Sequence, residues 1–193
     1  MTNHADMRES LLATALDIFS EKGFSGTSIR DIAKVHGVSL SNIYYHFGNK
    51  EGLWREILKH SVQELPSILR QAEQSETAPR AQLEAVVRAH LQEAVAHQRE
   101  LLMLLVQEAQ LEEGIGHDTV EIQREILDIY SGVLERLSAE GALHSKYVKI
   151  TVFNILGVIN WYLRWYRADG PLDLETIHQE VLGFVLHGAC REA

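Results

Sequence analysis

Two short amphipathic segments, separated by only about three residues, constrain this chain more than any other feature. In "TSIRDIAKVHG", Ser28 stands where a helix N-cap belongs and Asp31, three residues on, is the carboxylate arm of a capping box. Ile29, Ile32 and Ala33 form the apolar face of that helix, and Gly37 is its stop. Ser39 then caps a second short helix over residues 40–46, with Ile43 and Phe47 turned inward. So small a gap makes the chain turn sharply, and a third helix must cover the two apolar faces. The preceding stretch supplies it: Leu11, Leu12, Ala15, Ile18 and Phe19 recur at spacings of three and four, and Gly23 closes the run. Asn49 caps a fourth helix that starts at Lys50 and runs through Leu53, Trp54, Ile57 and Leu58 towards Pro66.

The rest of the chain is helical in pattern as well. "AQLEAVVRAHLQEAVAHQRELLMLLVQEAQL" reads as one long helix, "VEIQREILDIYSGVLERLSAEG" as another, "SKYVKITVFNILGVINWYLRWY" as a third and "DLETIHQEVLGFVLHGA" as the last. No segment keeps a period-two alternation, so the fold class is all-α: a three-helix N-terminal domain and a larger helical body, about nine helices in total. The domain boundary is expected at residues 1–50 and 51–193, with "EQSETAP" and "EEGIGHD" as flexible connections. A single cysteine, Cys190, excludes a disulfide framework and a thiolate metal cluster, and no metal site is expected. The N-terminal residues carry no apolar leader and no run approaches 18 apolar residues, which points to a cytoplasmic chain without a membrane partner.

Two short helices joined by a tight turn, with a third packed before them, describe a helix-turn-helix, in which the leading residues of the second helix meet base edges in the major groove. The formal net charge of -9 argues against phosphate binding until its distribution is considered. Residues 1–50 hold five basic and five acidic side chains, so the whole surplus lies beyond them. Leu40, Ser41 and Asn42 occupy the leading turn, where Ser and Asn suit base edges and Leu suits a thymine methyl. Tyr44, Tyr45 and His46 lie at the far end, where phosphates run; of the two tyrosines, Tyr44 is expected to pack into the core and Tyr45 to face the backbone. Ser28 and Ser39 serve as caps whose hydroxyls also suit phosphate, and Lys50 brings a charge beside a helix N-terminus. Residues 37–49 lack Lys and Arg, so Arg30 is the nearby candidate for an arginine contact.

"KGFSGTSIRDIAKVHGVSLSNIYYHFGNKEGLW", residues 22–54, resembles the DNA-binding domain of the TetR family of bacterial transcriptional regulators. The likeness runs through Lys22-Gly23, Thr27-Ser28, Asp31-Ile32-Ala33, Gly37-Val38-Ser39, Tyr44 to Phe47 and Lys50 to Leu53, with Gly48 departing from the polar or basic residue of many relatives. The resemblance implies phosphate contacts from Ser28, Tyr45, His46 and Lys50, and base contacts from Arg30, Leu40, Ser41 and Asn42. It implies a repressor that binds a palindromic double-stranded operator as a homodimer, and a body that takes a small-molecule effector.

The body's own pattern supports pairing. Val148, Val152, Ile155, Ile159 and Leu163 form one stripe, and Phe153, Gly157, Asn160, Arg164 and Arg167 form a second on another side. The second is expected to meet a partner copy through Phe153 and Gly157, together with Val181, Phe184, Val185 and Gly188. "NWYLRWYRADGPLDLETI" loosely resembles members of the family that sense acyl-CoA thioesters, which implies an effector role for Asn160, Trp161, Arg164, Trp165 and Arg167. A hydrophobic drug or an aromatic acid is the alternative effector. A ligand-independent architectural DNA binder would not need so large an acidic body. A helical-bundle enzyme finds only one ExxH, Glu175 to His178, and no phosphate loop, HExxH or GxSxG, so no catalytic residue and no cofactor is expected.

Overall fold

A computed structural model describes residues 4–107 and 116–191. Ten helical segments occur among the described residues: α1 His4–Lys22, α2 Ile29–His36, α3 Leu40–Phe47, α4 Lys50–Val62, α5 Leu65–Gln74, α6 Pro79–Ala96, α7 Gln98–Gln107, α8 Gly116–Ala139, α9 Val148–Trp165 and α10 Leu174–Ala189. No strand is present among them. The nearest thing is one isolated bridge, Leu143 with Cys190, which ties the end of α10 to the α8–α9 loop. The fold is all-α; the eight helices read as patterns become ten among the described residues because α5, Leu65–Gln74, is a helix of its own and the long helix expected across residues 81–111 breaks at His97. His97 leaves helical geometry at φ -115, ψ 27, and the chain restarts at Gln98. The stretch "EEGIGHD" falls largely outside the described residues, and of "EQSETAP" only residues 75–78 connect α5 to α6, Glu73, Gln74 and Pro79 being helical.

The described chain forms two compact units. The first comprises Met1–Val62 with Arg99–Thr119, the second Gln63–Gln98 with Val120–Ala193. The first unit does not close at residue 50: Leu53, Trp54, Ile57 and Leu58 of α4 belong to one apolar core with Leu11, Ala15, Phe19, Ile32 and Ile43. Trp54, fully buried, meets Phe19 edge to face at 5.4 Å, a pairing worth about 1 kcal/mol beyond its burial. Helix α4 stops at Val62 and Pro66 sits in the first turn of α5, where its missing N–H costs nothing; it opens a helix and does not close one. Along α1 the expected stripe is buried, and Gly23 N–H donates to Phe19 O to end it.

In the second unit α6 is central, packed against α5, α9 and α10. Its buried side, Leu83, Val86, Val87, Leu91 and Ala94, follows the three-four spacing. Val152, Ile155, Ile159 and Leu163 of α9 are buried as the sequence implied. Arg136 of α8 reaches Glu73 of α5 at 2.6 Å and Gln82 of α6 at 3.1 Å, which braces three helices at their rim.

Candidate nucleic-acid interface and the helical body

The recognition end of the first unit is fixed by local chemistry. Ser28 caps α2 from an extended backbone conformation: its Oγ accepts from Asp31 N–H, and its own N–H and Oγ–H donate to Asp31 Oδ2. Those hydrogen bonds, with Lys22 and Lys34 adding smaller attractions, hold the Asp31 carboxyl below its usual value. Gly37 ends α2 with its N–H on Ala33 O, and Ser39 opens α3 by accepting from Asn42 N–H at 3.2 Å. Asn49 does the same for α4, accepting from Gly52 N–H at 2.6 Å.

The joint between α3 and α4 is unusually close. Gly48 adopts φ +74, ψ -57, a backbone that side chains rarely tolerate. At Gly52 a Cβ would stand 1.9 Å from Phe47 O, so no other residue fits.

On α3 the face split is clear. Ile43 and Phe47 are buried; Leu40, Ser41, Tyr44, Tyr45 and His46 are exposed, and Asn42 is half-buried. The expectation that Tyr44 packs inside is overturned, since it is 52% exposed and Tyr45 85%. In an eight-residue helix the pair at 43 and 47 takes the whole inward side; residues 44 and 45 lie about 100° and 200° further round. Both tyrosines therefore present hydroxyls to the outside. Tyr45 and His46 meet edge to face at 5.1 Å, which steadies the exposed rings. Ser28, Arg30 and Ser39 are exposed on the same short stretch of chain. Lys50 is more committed than its sequence position suggests: Nζ donates to Phe24 O at 2.9 Å and Thr27 O at 3.1 Å and lies over the Phe24 ring. It staples the start of α4 to the α1–α2 loop, leaving one N–H and its charge for an outside anion.

In the body, the residues expected to bind an effector do not surround an interior space. Asn160, Trp161, Arg164, Trp165 and Arg167 are exposed, because the buried side of α9 is already taken by Ile155, Ile159, Tyr162 and Leu163. The Arg164 guanidinium stands 5.8 Å over the Trp161 ring, and Arg167 forks onto Asp169 at 3.1 Å, which raises the arginine and lowers the aspartate from their usual values. Among the partner-facing candidates, Phe153, Gly157, Phe184 and Gly188 are exposed and Val181 is half-buried. Val185 is not on that surface; it is buried in the body's own core beside Leu182 and Leu186, one turn position round from Phe184. Sequence reasoning missed the body's interior polar groups. His90 of α6 and Tyr130 of α8, both buried, bond to each other, Nδ1 to Oη, at 3.0 Å. Burial lowers the His90 imidazole to about 4 and raises the Tyr130 phenol.

The N-terminal unit matches the family model for bacterial regulatory proteins of the tetR family over residues 11–57, and a tetracyclin repressor-like C-terminal domain model covers residues 76–189. The chain belongs to the TetR family. The HTH-type transcriptional repressor KstR2 of Rhodococcus jostii (strain RHA1) is 31% identical over 184 residues, which covers 94% of this chain and 90% of that protein. Among solved structures, the ketosteroid transcriptional regulator KstR2 of Mycobacterium tuberculosis superposes with a TM-score of 0.84 at 25% identity, over 96% of this chain and 95% of that one. AibR, solved in complex with isovaleryl coenzyme A and operator DNA, shares the fold with a TM-score of 0.81 at 22% identity, covering 92% and 97%. The protein is thus a TetR-family transcriptional regulator and not an enzyme, with DNA as its partner. No helix among the described residues is long and apolar enough to cross a membrane.

Proposed function

We propose that this repressor holds a palindromic operator as a homodimer and lets it go when its body takes up a small-molecule effector of the acyl-CoA class. The observation that carries the homodimer is the uncovered apolar face of α9 and α10. Ile150, Phe153 and Phe184 are each more than half exposed, a bare apolar surface of the kind that marks a docking face. Between them lie Gly157 and Gly188, where an added Cβ would meet nothing within 4 Å. A glycine inside a helix costs about 1 kcal/mol against alanine, so its place on this face makes sense if a second backbone approaches closely. Twofold pairing through such a face sets two α3 helices about 34 Å apart, one turn of DNA.

In this reading α3 lies in the major groove. Leu40, Ser41 and Asn42 touch base edges, with Arg30 beside them, while Ser28, Ser39, Tyr44, Tyr45, His46 and Lys50 lie along the phosphates. The thioester class draws support from AibR, which was solved with isovaleryl coenzyme A, and from the cationic and aromatic groups Arg164, Arg167 and Trp161 beside Asn160 and Trp165. These would meet the phosphates and adenine of a coenzyme A moiety from the outer side of α9. An effector can shift operator affinity only by its differential affinity for the two arrangements of the protein, typically about 1 to 3 kcal/mol. The test is sedimentation of the purified chain together with gel shifts on operator duplexes selected from random sequence. A dimer, a selected site with twofold symmetry and release by isovaleryl-CoA are expected. A monomer that selects an asymmetric site would overturn the homodimer, and retention of the duplex across an acyl-CoA panel would overturn the effector class.

A further inference from the structure

Among the described residues, two polar atoms inside the body have no hydrogen-bond partner. Tyr162 Oη, on α9, and His178 Nε2, on α10, are fully enclosed atoms of residues only 1% and 3% exposed. Their rings meet edge to face, centroids 5.8 Å apart at 72°, so the two orphaned atoms belong to one place where α9 and α10 face each other. The body is able to satisfy such groups, as the bonded His90–Tyr130 pair demonstrates. A buried hydroxyl without a partner gives up its water and receives nothing, and phenylalanine would fill the same space without that loss. The Tyr162 ring also touches Trp165 at 5.3 Å and Tyr166 at 5.4 Å. Exposure rises along this cluster from buried Tyr162 through half-buried Tyr166 to exposed Trp165, giving continuous aromatic surface from the polar pair outward.

We propose that Tyr162 and His178 are the polar anchor of the effector, gripping an uncharged carbonyl or hydroxyl oxygen carried on an otherwise apolar ring or chain. The assignment rests on the effector reading above and adds to it the residues that hold the molecule and the charge state they accept. Burial raises the Tyr162 phenol and lowers the His178 imidazole, so both are neutral near pH 7: the phenol donates, and Nε2 donates or accepts according to tautomer. Arg88, the cation whose charge acts on His178, is already engaged by Glu84 at 3.2 Å and Glu175 at 3.5 Å, so it offers a carboxylate no free counter-charge. A thioester carbonyl and a ring ketone both qualify.

The experiment uses the full chain, a matched pair of probes, 2-decalone and decalin, and calorimetry. Wild-type protein is expected to bind the ketone about fivefold or more tightly than the hydrocarbon, the worth of one or two neutral hydrogen bonds. Tyr162→Phe, which keeps the ring and its packing, should bring the two affinities together, and His178→Phe should do the same if its circular dichroism matches wild type. Free Tyr162→Phe should melt at the same temperature as wild type or higher. Equal affinities in wild type, a preference that survives Tyr162→Phe, no binding of 2-decalone at millimolar concentration, or a lowered melting point would each overturn the anchor. Isovaleryl-CoA on the operator complex separates the two ideas. Release unchanged by Tyr162→Phe leaves the effector class standing without this anchor, whereas a ketone preference without any release leaves the anchor standing without that effector.

Discussion

The protein exposes two aromatic faces, and they differ in kind. On α3 the uncovered rings are Tyr44, Tyr45 and His46, each ending in a polar atom and flanked by Ser39, Ser41 and Asn42. On α9 and α10 the second face is made by exposed Ile150, Phe153 and Phe184, set around glycines. The first face suits a charged, wet partner, because a phenol keeps a hydrogen bond whether water or phosphate supplies the acceptor. The second has little to offer water and gains chiefly by exclusion of it, which suits a surface of the same composition. Exposed aromatic surface by itself therefore says only that something binds; the atoms at the ring edges say what.

The largest effect expected from breaking this contrast comes from charging each face in turn. Phe153→Glu with Phe184→Glu should convert a dimer into a monomer by sedimentation and cut operator affinity more than 100-fold, since one half-site is lost with its partner. Tyr44→Glu with Tyr45→Glu should abolish operator binding to a similar degree and leave the sedimentation coefficient unchanged. If the second pair also dissolved the dimer, the two faces would not be distinct.

A smaller effect separates the interiors beneath the faces. His90 takes a proton at about 4 in the folded body and near 6.5 when unfolded, so between those values only the unfolded chain is protonated. Its contribution to stability is complete above about pH 6.5 and is lost as pH falls towards 4, an order of 3 kcal/mol. Urea midpoints across that range should drop for wild type, and His90→Asn, whose amide can still reach the Tyr130 hydroxyl, should flatten the slope. The smallest effect lies in the head. Ser28→Ala removes a side-chain cap and should cost about 1 kcal/mol of stability in urea melts without altering dimerisation.

Legibility in the sequence followed the range of the interactions. Ser28 with Asp31, Ser39 with Asn42, and Asn49 with Gly52 are signals three residues long, and all three caps stand where the chain's pattern put them. The buried stripe of α9 was equally readable because its period is local. Tyr44 is not legible as an exposed residue from its own type, since two adjacent tyrosines carry no sign of which faces inward; the i to i+4 pair Ile43 and Phe47 decides it. The break at His97 has no proline or glycine to announce it. There Gln98 Nε2 donates to Leu163 O and Tyr166 O at the end of α9, a tertiary contact 65 and 68 residues away. The division of α10, with Phe184 outside and Val185 inside, depends likewise on which elements pack against each side of the helix. Tyr162 and His178 were invisible as a pair for the same reason.

The glycine joint between Phe47 and Gly52 has a mechanical corollary. With backbone resting on backbone there is no compressible side chain between the two helices, so α3 has no independent swing relative to α4. Helix α4 spans 13 residues, roughly 20 Å, which makes it a rigid lever with the groove-reading segment fixed to one end. A displacement of about 3 Å at Val62, roughly 20 Å from that joint, would therefore turn α3 with the lever by roughly 10° and not be absorbed between the two helices.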